Sequence, residues 1–571
     1  MRLVKNLFVA QAALLVIFLL SLPLFRDGFF RMHDYTHVAR LVEMLDALRV
    51  GHFPVHWSAD FGYGYGMPLF LFYGPVPFYL ASLPALMGLA PLLSIKLLIL
   101  FTNFTAWTGM YSLMKRWGRT VGFVAATVFA LAPYRALDLY VRGALNELFA
   151  LSLLPWILHF AWLITRQRRV GWLGLSLTTS ALIASHNLTA MIALPFLGIM
   201  SLVWITWQKS DKLKSLGLVT AGYLTGVLLS AWYALPAFLE KDSTIISEIT
   251  TGYFDYHLHF LYLRQFWQET WGYGGSTFGP HDEISFHFGW ISLLLATLAG
   301  VGALAPILND LKTRRKLLNI WIFRKTQVLI LFTALVLVPT LLLSTFKTQW
   351  LWDRVALLSF VQFPWRFLAI SNVLMAMLAG WGIWQIRHTT WRWPLTWLTV
   401  ILLLISQLKF HQPQQYLENN DDFYYTDRQL IRRRMSDILL DYLPSGFDRQ
   451  LPPVEPAERI VISDSLDKTR WEINQPHRLL LETETIKGSA ITWNIADFPG
   501  WQYYVNDEQV EPELLPDGRR QLTAQPELEI NSVGAIFTMT PLRQTGLIIS
   551  LIALIGWLAV LIKPKDKHVE F

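Results

Sequence analysis

Cysteine is absent from the 571 residues, so no disulfide framework, thiol nucleophile or thiolate-held metal belongs to this chemistry. Charge is scarce as well. Charged residues make up 16% against 53% hydrophobic and 14% aromatic, outside the range of soluble globular domains. No Walker loop, dinucleotide-binding glycine fingerprint or zincin motif occurs, so neither a nucleotide-driven pump nor a nucleotide or redox cofactor is indicated. No internal repeat or low-complexity tract breaks the text.

What is present is a series of apolar runs of roughly 17–25 residues, the length that crosses ~30 Å of hydrocarbon. The fold class expected is mainly α, a polytopic membrane protein with about twelve transmembrane helices. They are placed near 7–25, 92–113, 118–134, 147–165, 171–186, 188–207, 215–238, 286–307, 327–345, 364–386, 393–409 and 544–562. Arg2 and Lys5 precede the first run as in a signal peptide, but "SLPLFRDGFF" offers no small-residue cleavage site. An uncleaved helix is expected. With both termini cytoplasmic, every cytoplasmic loop is basic, from Lys115/Arg116/Arg119 to Lys563/Lys565/Lys567. The net charge of +7 therefore points to topology in a plasma (inner) membrane, not to a nucleic-acid partner. The pattern requires that Pro68–Leu89, with its four prolines, lies broken at the interface and does not span.

Three regions follow. Residues 1–409 form the transmembrane domain, with a first extracytoplasmic loop at 26–91. Residues 410–542, in short alternating runs with a "PDG" turn, read as an extracytoplasmic β-rich domain. Residues 543–571 form a terminal anchor and cytoplasmic tail.

The polar residues of interest gather at the expected outer ends of the helices. Asp34 stands between His33 and His37. A carboxylate at a membrane surface can act as general base or hold a divalent cation beside a phosphate leaving group. His33 and His37 are spaced i, i+4, compatible with metal ligation alongside Asp34. The plainer reading is that Asp34 caps the helix beginning "YTHVARLVEML". In "YRALDLYVRGALNE", Arg142 has the planar fork that clamps phosphate, although pairing with Glu147 between two helix ends is the plainer reading. "SHNLTA" places His186 and Asn187 at membrane depth, as site residues or as caps of a helical hairpin. "FPWRFLAIS" places Trp365 and Arg366 at a helix start, as a second phosphate site or an interfacial anchor. Glu240 adds an acid to the same face.

The stretch "HDYTHVARLVEMLDALRVGHFPVHWSADFGYGYGMPLFLFYGPVPFYLASLPALMG" resembles the first periplasmic loop of the GT-C superfamily of membrane glycosyltransferases. Within it, the sequence is most similar to bacterial multi-pass proteins labelled 6-pyruvoyl-tetrahydropterin-synthase-related, a label that implies no pterin chemistry. "YVRGALNE", "SHNLTA", "FPWRFLA" and "FPGWQYYVNDEQV" also look like that group. The resemblance covers most of the chain. It implies transfer of a sugar from a polyprenyl-phosphate donor, lodged in the membrane lipid, to an extracytoplasmic acceptor such as a surface glycan, lipid or protein. Asp34 matches the catalytic acid of the loop, and Arg142 and Arg366 match polar positions near the donor phosphate. Many members carry two adjacent acids where His33 precedes Asp34 here, which bears on the expected magnesium or manganese ion. The rival from another class is a catalytically inactive scaffold or polysaccharide-export partner that binds glycan through its extracytoplasmic domain. A flippase would place polar residues deep inside several helices, whereas here they gather at the ends.

Overall fold

The computed structural model describes residues 2–207, 211–312, 324–386, 389–417, 425–438, 440–463, 469–525 and 529–562. Apolar runs give the helices α1 (Arg2–Leu20), α2 (His37–Arg49), α3 (Leu69–Phe72), α4 (Val76–Leu86), α5 (Pro91–Met114), α6 (Arg119–Ala130) and α7 (Pro133–Leu137). They continue with α8 (Leu145–Thr165), α9 (Arg169–Ser185), α10 (Asn187–Trp207), α11 (Lys212–Leu229) and α12 (Ala231–Leu239). The set is completed by α13 (Trp290–Lys312), α14 (Lys325–Leu343), α15 (Leu368–Trp384), α16 (Thr389–Gln407) and α17 (Pro541–Ile562). The chain is a multi-pass membrane protein in composition, and burial sorts its helices into two shells. The span Arg119–Arg142 is wholly buried within the protein and Pro364–Trp384 is 94% buried, whereas α17 is 11% buried and α13 22%. The inner helices pack on other helices. The outer ones leave leucine and isoleucine exposed.

Twelve spans are expected from the apolar runs. Nine helices among the described residues are long and apolar enough to cross a membrane, or ten if one bent pair counts as a single span. α9 has 17 residues, and the described apolar part of α1 is Val9–Leu20. The bent pair is α11 and α12, which meet at 68°. Its cause lies in α17. Ser550 Oγ accepts from Trp232 N–H at 2.9 Å and donates to the Leu228 carbonyl at 3.0 Å, taking the place of the helical bond between those two groups. A side chain inserted into the ladder kinks a helix. Gly546 allows the approach, because a Cβ there would meet the Ala231 carbonyl oxygen at 2.6 Å. As the prolines require, Pro68–Leu89 forms only the short helices α3 and α4.

The β-rich region is a pair of antiparallel sheets. β1 (Ile460–Ile462), β4 (Ala490–Trp493), β7 (Glu513–Leu514) and β8 (Arg520–Thr523) pair in the order β1-β4-β8-β7. β2 (Thr469–Asn474), β3 (Arg478–Lys487), β5 (Trp501–Val505), β6 (Glu508–Val510) and β9 (Glu529–Phe537) pair as β2-β3-β9-β5-β6. Trp493, fully buried, joins the sheets by donating to the Gly534 carbonyl at 3.1 Å and packing edge-on to Tyr503.

This domain is clamped to the loop after α1. Trp57 packs against Phe498, Trp501 and Phe537. Beside it, Arg428 Nη1 donates at 2.8 Å to both Glu43 and Asp60, and Asp60 also receives Arg432 at 3.0 Å and Arg459 at 3.4 Å. Burial and the neighbouring Asp60 charge push the Glu43 carboxyl up to about 7.

Ser550→Ala removes both bridging bonds at the α11–α12 kink. It should lower stability by about 1–3 kcal/mol, the cost of stranding a buried donor and acceptor. A thermal unfolding midpoint equal to wild type would count against this origin of the bend.

Candidate functional site

The chain just past α1 runs alongside the turn that precedes α8. His33 N–H donates to the Val141 carbonyl at 2.8 Å and Asp34 N–H to the Arg142 carbonyl at 3.0 Å. The turn itself, Asp138–Arg142, is a π-helical bulge ended by Gly143 at φ +68°. Such bulges recur at functional sites. A Cβ on Gly143 would meet the Asp34 carbonyl oxygen at 2.4 Å, so glycine is what allows the two segments to touch. Backbone pairing thus places Asp34 beside Arg142.

Around this junction lies a cavity of about 720 Å³. His33, Asp34, Arg142, Glu147, His186, Asn187, Trp365 and Arg366 all line it. Met191, Ala237, Phe238, Leu357 and Phe360 supply apolar wall, and Tyr442, on the approach to the β-domain, closes one side. A largely apolar cleft with a few convergent polar groups is the usual form of a ligand site.

Asp34 does not cap a helix. Its carboxylate faces Arg40, which donates Nη1 to Oδ2 at 2.8 Å and Nη2 to Oδ1 at 3.0 Å, and Thr36 Oγ1 adds a bond at 2.8 Å. Burial raises its pKa, but Arg40 and these hydrogen bonds outweigh it and hold the carboxyl at about 2. Arg40 is fully buried, with its guanidinium 4.2 Å from the centre of the Tyr73 ring. Arg40 is not among the site residues expected from the sequence. Its spacing from His37 (i, i+3) on an amphipathic helix was the available signal.

The residues expected to hold a metal ion have other partners. His37 is fully buried, with Nε2 on the Gly143 carbonyl and Nδ1 3.0 Å from Arg40 Nη1, so both ring nitrogens are committed. His33 Nε2 lies on the Tyr273 carbonyl at 2.9 Å. No three His, Asp or Glu side chains are arranged to hold a metal ion among the described residues. The donor set here does not fit a protein-held magnesium or manganese ion, because Arg40 already sits on the carboxylate that such an ion would use.

Arg142 pairs with Asp138 and donates Nη1 to Glu147 Oε2 at 2.9 Å, while its guanidinium lies 4.5 Å from the Trp365 ring centre. The helix-tying pair foreseen as the plainer reading is therefore present. Glu147 also receives Tyr134 OH at 2.6 Å and stands 3.5 Å from Arg366 Nε. Arg366 is anchored by Nη1 to Val361 and Gln362, while its buried Nε makes no hydrogen bond among the described residues. Asn146 Oδ1, on the cavity wall, is buried in the same condition. His186 accepts Thr189 N–H at Nδ1 and lines the cavity. Lys241, which the sequence analysis passed over, adds a cation to the wall.

Glu240 is corrected: it is not among the lining residues. It accepts Arg543 Nε at 2.9 Å and Thr540 Oγ1 at 2.8 Å, and Arg543 donates to the Pro499 carbonyl at 2.7 Å. It locks α12 to α17 and the β-domain.

Burial lowers the His37 pKa from 6.5 to about 4, so the folded state keeps this ring neutral. The sign follows: its contribution is full above pH 6.5 and is lost as pH falls toward 4. At pH 5 one such histidine costs about 2 kcal/mol. His37→Gln should flatten the fall in melting temperature between pH 7 and 5. An unchanged slope would refute the assignment.

No family model matches the chain. A protein of Lactococcus lactis subsp. cremoris (strain MG1363), called only an uncharacterized protein, is 23% identical over 318 residues, which are 53% of this chain and 50% of that relative. The chain thus spans about half the length of the curated relative it matches. Among solved structures, the mycobacterial arabinofuranosyltransferase AftD is similar at a TM-score of 0.41 and 15% identity, over 79% of this chain and 28% of that one. The oligosaccharyltransferase of Archaeoglobus fulgidus is similar at a TM-score of 0.37 and 14% identity, over 76% and 55% respectively.

Proposed function

We propose that this protein is an inverting, GT-C-type membrane glycosyltransferase that moves a sugar from a polyprenyl-phosphate-linked donor to an extracytoplasmic acceptor. The observation that carries the reading is the single cavity in which Asp34, Arg142, Glu147 and Arg366 meet an apolar wall reaching the helices. A lipid-linked sugar phosphate is amphipathic in the same sense. The finer likeness, to the 6-pyruvoyl-tetrahydropterin-synthase-related group, belongs to this proposal, as do the twelve spans and cytoplasmic termini.

In this reading the acceptor oxygen attacks the anomeric carbon as the bond from that carbon to the donor phosphate breaks. The polyprenyl phosphate departs with the bonding electrons. Arg366 meets the developing charge, since its buried Nε makes no hydrogen bond among the described residues and the Glu147 carboxylate faces it only at 3.5 Å. Arg142 holds Glu147 and the π-helical turn in place and offers its stacked guanidinium to the same phosphate. Asp34 accepts the acceptor hydroxyl's hydrogen bond and orients it. A carboxyl held at about 2 is a weak base, so its work is alignment first and proton acceptance only late in the transfer.

Arg366→Gln should weaken binding of polyprenyl phosphate by about tenfold or more, the loss of one charge-assisted contact. Wild-type affinity would make Arg366 a structural anchor only, and undiminished transfer by an Asp34→Asn/Arg40→Gln pair would remove Asp34 from the reaction. Asp34→Asn alone is the poorer test, because it strands the buried Arg40. The lack of native cysteine makes topology equally testable. Cysteine placed at exposed Glu508 should react with a membrane-impermeant maleimide on intact cells, and at exposed Lys212 only after permeabilisation. The reverse pattern would place the site on the cytoplasmic side and overturn the reading.

A further inference from the structure

A second cavity, of about 420 Å³, lies at the opposite end of the helix bundle from the site above. α8 connects the two: Glu147 lines the first, and Trp162, fifteen residues or roughly 22 Å along the helix, lines the second. The wall is built from Arg116 and Trp117 just after α5, Trp162 and Arg166 at the end of α8, Trp204 and Trp207 at the end of α10, and Lys325 at the start of α14. It contains three cations and, among the described lining residues, no carboxylate.

Arg116 is the centre of this cavity. Its guanidinium carbon lies 3.8 Å from the Trp162 ring centre and 5.4 Å from those of Trp117 and Trp204. Nη2 approaches His159 Nδ1 at 3.4 Å, while Nε and Nη1 are buried with no hydrogen-bond partner among the described residues. The Trp204 indole N–H, on a side chain 3% exposed, is buried in the same state. Elsewhere in this fold each buried arginine of the loop-domain clamp meets a carboxylate. Here a fixed positive charge and three unmet donors face a cavity lined by further cations. Burying such a group is costly unless an anion completes it. The planar guanidinium fork matches a phosphate oxygen pair.

We propose that this cavity is a binding site for a phosphate ester, supplied by the headgroup of an anionic membrane lipid in the leaflet at that end of the bundle. The tryptophans at the helix ends mark the depth of a membrane–water boundary, where indole rings settle. Basic pockets between helices at that depth suit anionic headgroups. Lys325 holds the Trp207 carbonyl with one donor at 3.1 Å and has others to offer. The site stands apart from the glycosyl-transfer reading and does not depend on it.

The test uses the full chain in detergent, titrated separately with phosphatidylglycerol, phosphatidylcholine and inorganic phosphate. Lipid retention is followed by native mass spectrometry and stabilisation by thermal unfolding. Phosphatidylglycerol should be retained over phosphatidylcholine and raise the unfolding midpoint. Arg116→Gln should weaken that retention by about tenfold or more. If that variant does not fold, Lys325→Gln and Trp204→Phe carry the same test with smaller losses. Stabilisation by inorganic phosphate with the same Arg116 dependence, and none by phosphatidylglycerol, would uphold the phosphate chemistry and assign a soluble source. Equal retention of both lipids, or retention of phosphatidylglycerol unchanged in all three variants, would overturn the proposal.

Discussion

The candidate site depends on a short backbone pairing. Two hydrogen bonds, from His33 and Asp34 to the carbonyls of Val141 and Arg142, fasten the exit of the first helix to a π-helical turn. Both segments are polar and sit where helices emerge, so their peptide groups need partners that a bilayer cannot give. Each supplies the other's. The price is a glycine at 143, where any side chain would strike the Asp34 backbone.

Charge is then distributed so that every acid of the junction has a fixed partner. Asp34 takes the buried Arg40, while Asp138 and Glu147 share Arg142, with Arg366 standing by. Pairing on this scale is expensive in desolvation and brings little stability of its own. What it brings is geometry, since bidentate and stacked arginines hold carboxylates in defined positions. The ligand-facing capacity left over is small and specific: a buried Arg366 Nε that meets Glu147 only at 3.5 Å, an Asn146 oxygen and the His186 ring.

The β-domain contributes to the same geometry from above. Its tryptophans and arginines clamp the loop holding Trp57, Glu43 and Asp60, and residues on its approach close the cavity. α17 returns to bend α11 against α12, which turns Tyr233 and Phe238 into the cleft. Segments hundreds of residues apart therefore shape one wall.

The sequence by itself determined the elements that depend on local pattern. Apolar length gave the helices, proline density kept Pro68–Leu89 from spanning, and alternation with turn residues marked the β-rich region. It also located Asp34, Arg142, Glu147, His186, Asn187, Trp365 and Arg366 at helix ends, because ionisable groups are confined there by the bilayer. Only the tertiary structure decided which of them meet and what each is bonded to. Asp34 pairs with Arg40 and does not cap α2, His37 is sealed under Gly143 with both ring nitrogens engaged, and Glu240 belongs to Arg543 on the last helix. The kink at Ser230 is only partly legible in its own segment, where Pro236 lies in α12, because Ser550 on the last helix takes both ends of the missing bond. Partners of charged groups are set by packing over long separations, and no local period encodes them.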